Sequence, residues 1–293
     1  MLTAAKTLLT PKELADAIGA SESSLRRWVD SGRIQMSRTA GGHRRIPIEE
    51  AIRFIREARL PILRPDVLGL PAPESSSDDV ARSPLSDEDR LYAALAGGDR
   101  KLARALTLGW FLQGRPLGYI FDGPITHALH RLGELFQHSD RGILIEHRAT
   151  EMCVEIILLL KNLLPQAAED APVSLGGAPE SDVYLVPTMM VGAVMQEAGY
   201  KDINFGPNTP VLLLKQAADE HQAKLVWLSV SVRMQNNRVR QQVEELARHL
   251  QQRDTHFVLG GRHVADLTPR GFGKVHIGQS MTELAAYAKA LKH

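Results

Sequence analysis

Cysteine, aromatic residues and net charge are all scarce in this chain of 293 residues. The single cysteine, Cys153, excludes an internal disulfide, and with it the small secreted scaffolds that depend on such bridges. No apolar run reaches the roughly 20 residues that a membrane span requires. The first residues, MLTAAKTLLTPKEL, hold no long apolar stretch followed by a small-residue cleavage site. A cytoplasmic protein without membrane contact is therefore expected. A formal net charge of +1 supplies no bulk attraction for nucleic acid, so any such role must rest on local charge. What is abundant is core material: 44% hydrophobic against 24% charged residues is an ordinary globular mix, and the length suits two or three compact units.

The charge is unevenly distributed. Residues 1 to 65 carry 12 Lys and Arg against 7 Asp and Glu, whereas residues 66 to 99 carry 2 against 8, which places any phosphate-binding surface at the N-terminal end. Residues 61–86 are rich in proline, with a serine run and paired aspartates, and read as a linker. Residues 87–168 show apolar residues at helical spacing with breaks at Gly97-Gly98, Gly114-Arg115-Pro116 and Ser139-Asp140, the pattern of a four-helix bundle. In residues 169–293 short apolar runs (PVSLGG, DINFG, KLVWLSVSV, THFVLGG, KVHIG) alternate with helical stretches over 187–198, 209–221, 236–252 and 281–291. That alternation predicts a doubly wound α/β parallel sheet, Rossmann-like, with any ligand beyond the carboxyl ends of its strands.

Residues 1–60 form the basic head. Thr10, Pro11 and Glu13 supply a cap, a first-turn proline and a capping-box acid, so a helix is expected from Pro11 to the turn at Gly19-Ala20. Ser21 caps a second helix, ESSLRRWVDSG, with Leu25, Trp28 and Val29 on one face and Ser23, Ser24, Arg26 and Arg27 outward. Next, IQMSRTAGGHRRIPI places two β-prone ends about Gly41-Gly42 and three basic or potentially basic residues, His43, Arg44 and Arg45, as in a wing. Over roughly residues 8 to 58 this resembles the MerR and excisionase-like DNA-binding families. The resemblance implies a winged helix-turn-helix in which Ser23, Ser24, Arg26 and Arg27 face the groove of double-stranded DNA. Arg38, His43, Arg44 and Arg45 would then grip phosphates.

The C-terminal part resembles the cobalamin-binding domain of light- and cobalamin-responsive MerR-type repressors and of methionine synthase. FGPNTP at 205–210, the strand end Ser229-Val230-Ser231 and the pair Gly260-Gly261 match that family's elements. Two departures stand out. The family's loop of Asp or Glu, any residue, His, two residues and Gly corresponds to Asp182-Val183-Tyr184-Leu185-Val186-Pro187, so Tyr184 replaces the cobalt-ligating histidine and Pro187 the glycine. A neutral phenol is a poor donor to cobalt. The family's Trp, nine residues, Glu-His lid corresponds to Phe136 followed by Glu146-His147. The resemblance implies a pocket formed by Phe136, Glu146, His147, Asp182, Tyr184, Ser229, Ser231, Gly260 and Gly261. Cobalamin without histidine ligation, another tetrapyrrole such as a haem or bilin, or no ligand at all remain open for it.

The remaining histidines show no metal-site spacing, Cys153 lies in the apolar run CVEIILLL, and no nucleophile, phosphate-loop or dinucleotide fingerprint is present. A non-enzymatic regulator is expected. Its C-terminal module would respond to a tetrapyrrole or to light and govern a dimer or tetramer acting as a repressor. The alternatives are a ligand-independent regulator and a corrinoid-dependent methyltransferase carrier protein, against which the helix-turn-helix counts.

Overall fold

The computed structural model describes residues 7–38, 40–70, 85–136, 140–234, 237–269 and 271–292, with the backbone only for 135 and 136. The chain divides into two compact units, Met1–Pro116 with Gly123–Pro165, and Leu117–Asp122 with Gln166–His293.

In the first unit, strand β1 (Leu8–Leu9) leads into helix α1 (Pro11–Ile18). The Thr10 hydroxyl accepts from the Glu13 N–H at 3.2 Å and the Glu13 carboxylate accepts from the Thr10 N–H at 2.7 Å, so two donors at the helix start are satisfied reciprocally. Ser21 does the same for helix α2 (Glu22–Asp30), accepting from Ser24 N–H at 3.1 Å. Strands β2 (Ser37–Arg38) and β3 (Arg44–Pro47) pair antiparallel, β1 pairs along the other edge of β3, and helix α3 (Ile48–Ala58) comes after them. Leu14, Ala17 and Ile18 of α1, Leu25 of α2, Ile46 of β3 and Ile52, Phe54 and Ile55 of α3 are buried. The Trp28 and Phe54 rings meet at 5.0 Å. Residues 61–70, inside the expected linker, return over the end of α1. There the N–H groups of Leu63 and Arg64 donate to the Ala17 carbonyl, and Leu68 and Leu70 are buried. Their apolar side chains are the reason: the serine- and aspartate-rich composition that cannot build a core begins only after Leu70, and residues 71–84 lie outside the described residues.

Helices α4 (Asp87–Gly97) and α5 (Arg100–Leu112) come next, then, after the short α6 (Leu117–Ile120) of the second unit, α7 (Thr126–Phe136) and α8 (Asp140–Asn162). Gly98 in the left-handed conformation ends α4, and Asp140 begins α8. Between α6 and α7 the helix widens over Phe121–Ile125, where Pro124 has no N–H to offer. The Arg56 guanidinium stacks over Phe111 at 3.8 Å and donates to the Arg115 carbonyl at 3.1 Å, fixing α3 to α5. Among the described residues no helix is long and apolar enough to cross a membrane.

The second unit is a five-stranded parallel sheet: β4 (Val173–Gly177), β5 (Lys201–Asn204), β6 (Leu225–Ser229), β7 (His256–Gly260) and β8 (Val275–Gly278), in the order β5-β4-β6-β7-β8. Chain direction around the sheet reverses between β4 and β6, so the loops after these two strands flank the switch point. Helices α9 (Leu185–Glu197), α10 (Leu213–Glu220), α11 (Asn237–Gln252) and α12 (Met281–Ala290) cover it. Leu175, Val226, Leu228, Phe257 and Leu259 point to one face and bury with Leu214 of α10 and Val239, Val243, Leu246 and Leu250 of α11. Alternate residues, Ser174, Gly176, Trp227 and Val258, are buried on the opposite face.

Trp227 lies so close over Gly176 that a Cβ there would fall 2.0 Å from the Trp227 carbonyl oxygen and 2.4 Å from its ring. Only glycine fits, because the obstructing atom is backbone in a paired strand. Gly176→Ala is expected to destabilise the second unit by about 1–3 kcal/mol or more, whereas Gly97→Ala, with open space around it, should be tolerated. Denaturant unfolding of the two variants checks this.

Candidate functional site

On α2, Leu25 is buried while Ser23, Arg26 and Arg27 are exposed and Ser24 is half-buried. This is the division that the helical spacing predicts. Arg38 and His43 are exposed, and Arg44 and Arg45 half-buried. The β2–β3 register sets Arg38 directly opposite Arg44, and Ser37 opposite Arg45. Like charges facing each other across an antiparallel pair repel. The structure nevertheless pairs none of Arg26, Arg38 and Arg44 with a described carboxylate, and the Arg45 guanidinium donates to the Arg44 carbonyl at 3.1 Å. Elsewhere in the same domain Arg53 is held by Glu50 and Glu57, at 2.6 and 2.5 Å, which raises its already high pKa chiefly through the Glu50 hydrogen bond. The head therefore pairs Arg53, which braces its core, and leaves Arg26, Arg38 and Arg44 without a described carboxylate partner.

In the second unit, Asp182 is fully buried in the loop after β4. Its carboxylate accepts from Ser231 N–H at 2.6 Å, in the segment after β6, and from Tyr184 N–H at 3.2 Å. Its carbonyl accepts from Asn208 N–H at 2.7 Å, and the Asn208 side chain accepts from Ser181 N–H at 2.9 Å. One carboxylate thus joins the loops on both sides of the switch point. Ser229 is buried at the end of β6. Gly261, at φ +104°, packs against the backbone of Val230, where a Cβ would lie 2.5 Å from its carbonyl oxygen. The glycine there serves close approach between two strand ends. Beneath them, Trp227 Nε1 donates to Asp202 at 3.0 Å, and Ser174 Oγ donates to the same oxygen at 2.7 Å.

Tyr184 stands at the N-terminus of α9 and is half exposed. Val183, Leu185, Phe205, Leu212 and Leu213 are also exposed, making an apolar rim beyond β4 and β5. Sequence reasoning missed this rim, since the same residues in a β/α pattern read equally well as core. It also missed Asp202 and the packing role of Trp227, for which the one available signal was an aromatic inside KLVWLSVSV. In the first unit, Glu146 and His147 lie on α8. Glu146 accepts from the Thr150 hydroxyl at 3.0 Å, and exposed His147 lies 3.7 Å from it. The Phe136 side chain lies outside the described residues. Burial, with the nearby Glu146 charge adding to it, pushes the Cys153 thiol up to about 12. Among the described residues no group of His, Cys, Asp and Glu is arranged to hold a metal ion.

The helix-turn-helix domain family matches residues 8–59. No curated protein matches the chain. Among solved structures, the chain is similar to the monomethylamine corrinoid protein of Methanosarcina barkeri, at 17% identity over 70% of this chain and 98% of that one, with a TM-score of 0.51. It also matches a cobalamin-binding protein of Desulfitobacterium hafniense, at 14% identity over 71% of this chain and 99% of that one, with a TM-score of 0.36. A third match is the methanol:cobalamin methyltransferase complex of Methanosarcina barkeri, at 13% over 74% and 89%, with a TM-score of 0.35. The first of these identifies the fold: a helical region and a parallel five-stranded sheet of the kind found in that corrinoid protein.

Asp182→Ala removes the acceptor from two backbone donors and is expected to cost the second unit about 1.5–3 kcal/mol, read from its unfolding midpoint. Cys153 should resist thiol alkylation at pH 8 in the native protein and react at once in denaturant, because the buried thiol stays protonated there.

Proposed function

We propose that this chain is a DNA-binding transcription regulator, a MerR-like repressor that binds a repeated or palindromic duplex site as a dimer or tetramer. The carrying observation is the arginine pair Arg38 and Arg44, set opposite each other without a described carboxylate partner in a helix-turn-helix domain. A phosphate between them would convert a repulsive contact into an attractive one. In this reading α2 enters the major groove, and β2–β3 is the wing, gripping the backbone with Arg38, His43, Arg44 and Arg45. One recognition helix and one wing touch few base pairs, so useful affinity needs several heads acting together. The second unit is the part we assign to bringing them together, as a binding and assembly body and not an enzyme.

The fold implies a corrinoid, and the residues present do not fit a histidine-ligated one. Tyr184 offers a phenol where the ligand imidazole belongs, and both contacts of the Asp182 carboxylate are to backbone N–H groups. The space over Gly176 is filled by Trp227.

Arg44→Ala with Arg45→Ala is expected to weaken binding to all duplexes alike and to lower the slope of log affinity against log salt by about 0.9 for each phosphate no longer neutralised. Unchanged binding in a mobility-shift titration removes the wing assignment. Incubation with cobalamins, haem and biliverdin, followed by absorbance of the repurified protein, decides the role of the second unit. A stable haem or bilin spectrum supports a tetrapyrrole or light response, and colourless protein that still oligomerises supports assembly without ligand.

A further inference from the structure

Between its acidic ends, Glu22 and Asp30, helix α2 presents two serines and two arginines, and the structure divides these by chemistry. Ser21 Oγ, already the cap for Ser24 N–H, lies 2.9 Å from Ser23 Oγ and 3.0 Å from Ser24 Oγ. The three hydroxyls satisfy one another at the helix start. A serine hydroxyl is in any case a donor and acceptor that suits several base edges and discriminates poorly. Arg26 sits about 100° round the helix from buried Leu25, on the flank of the helix. Arg27 sits about 200° round from Leu25, on the face turned fully away from the core. Its guanidinium lies 3.5 Å from Ser24 Oγ and forms no ion pair with Asp30 one turn on, so its planar fork of donors is held outward and un-neutralised.

We propose that Arg27 is the base-reading residue of α2 and that guanine is the base it reads, through the paired N7 and O6 acceptors of the major-groove edge, with Ser24 as a positioning residue. This rests on the regulator reading and adds to it the chemistry of the site that is recognised. The fork matches two acceptors lying side by side, which guanine alone presents in the major groove. Arg38 and Arg44 carry the same fork but lie on the β2–β3 strand pair, outside α2.

The test is selection of duplexes by the full chain from a random pool, followed by titration of the selected site. A guanine is expected at a fixed position of each half-site. Replacing that base with 7-deazaguanine, which lacks the N7 acceptor, should weaken the wild-type protein, and Arg27→Ala should weaken binding to the unmodified site by roughly 5- to 150-fold. Arg27→Ala should be indifferent to the deaza base. Arg27→Lys should keep the salt dependence and lose the guanine preference, since an ammonium is a point charge without the fork. Because Arg27 is exposed, both variants should keep the wild-type unfolding midpoint. A guanine preference that survives in Arg27→Ala, or a wild-type protein unaffected by the deaza base, overturns the assignment while leaving the regulator reading in place. A chain that retains no duplex even in dilute salt overturns both.

Discussion

A buried carboxylate must have its hydrogen bonds made, and in the second unit that requirement falls on Asp182. By accepting from Ser231 N–H and Tyr184 N–H it fastens the two loops that a doubly wound sheet leaves open at its switch point. Each of its oxygens accepts one backbone N–H, and Tyr184 follows two residues on. A second carboxylate lies one layer down. Asp202 takes the Trp227 indole and the Ser174 hydroxyl, and Trp227 occupies the space above Gly176. These polar groups of the second unit hold the fold together.

The helix-turn-helix domain of the first unit holds both paired and outward arginines. Arg53 is satisfied within the domain by Glu50 and Glu57, and Arg56 by the Phe111 ring and the Arg115 carbonyl. Arg26, Arg38 and Arg44 are turned outward with no described carboxylate against them, two of them facing each other across a strand pair. Like charges so placed repel, and a bound phosphate would turn that contact into an attractive one. The Asp182 and Asp202 carboxylates of the second unit accept hydrogen bonds within the fold, and the outward arginines of the helix-turn-helix domain are the groups on which the proposed DNA contact rests.

Much of this was legible in the residues. The capping box of Thr10 and Glu13, the Ser21 cap and the glycine turn are local signals, and each acts within four residues, so they survive without knowledge of the rest of the chain. The helix breaks at Gly97-Gly98 and Gly114-Pro116 and the β/α alternation after residue 171 are equally local. Other features were hidden because they depend on partners distant in sequence. Asp182 meets a backbone group 49 residues away, and Trp227 meets Asp202 at 25. The exposed rim of Val183, Leu185, Phe205, Leu212 and Leu213 reads as core in any window.

The sequence by itself determined the kinds of element and their order, because caps, turn residues and hydrophobic period act over one or two helical turns. It also determined which cations the head would carry. Only the tertiary structure decided that Arg38 and Arg44 share a register position with no described carboxylate against them. Only it decided that the polar residues of the second unit bind one another. Hydrogen bonding and close packing are settled by which groups the fold brings within a few ångströms, and no local pattern carries that information.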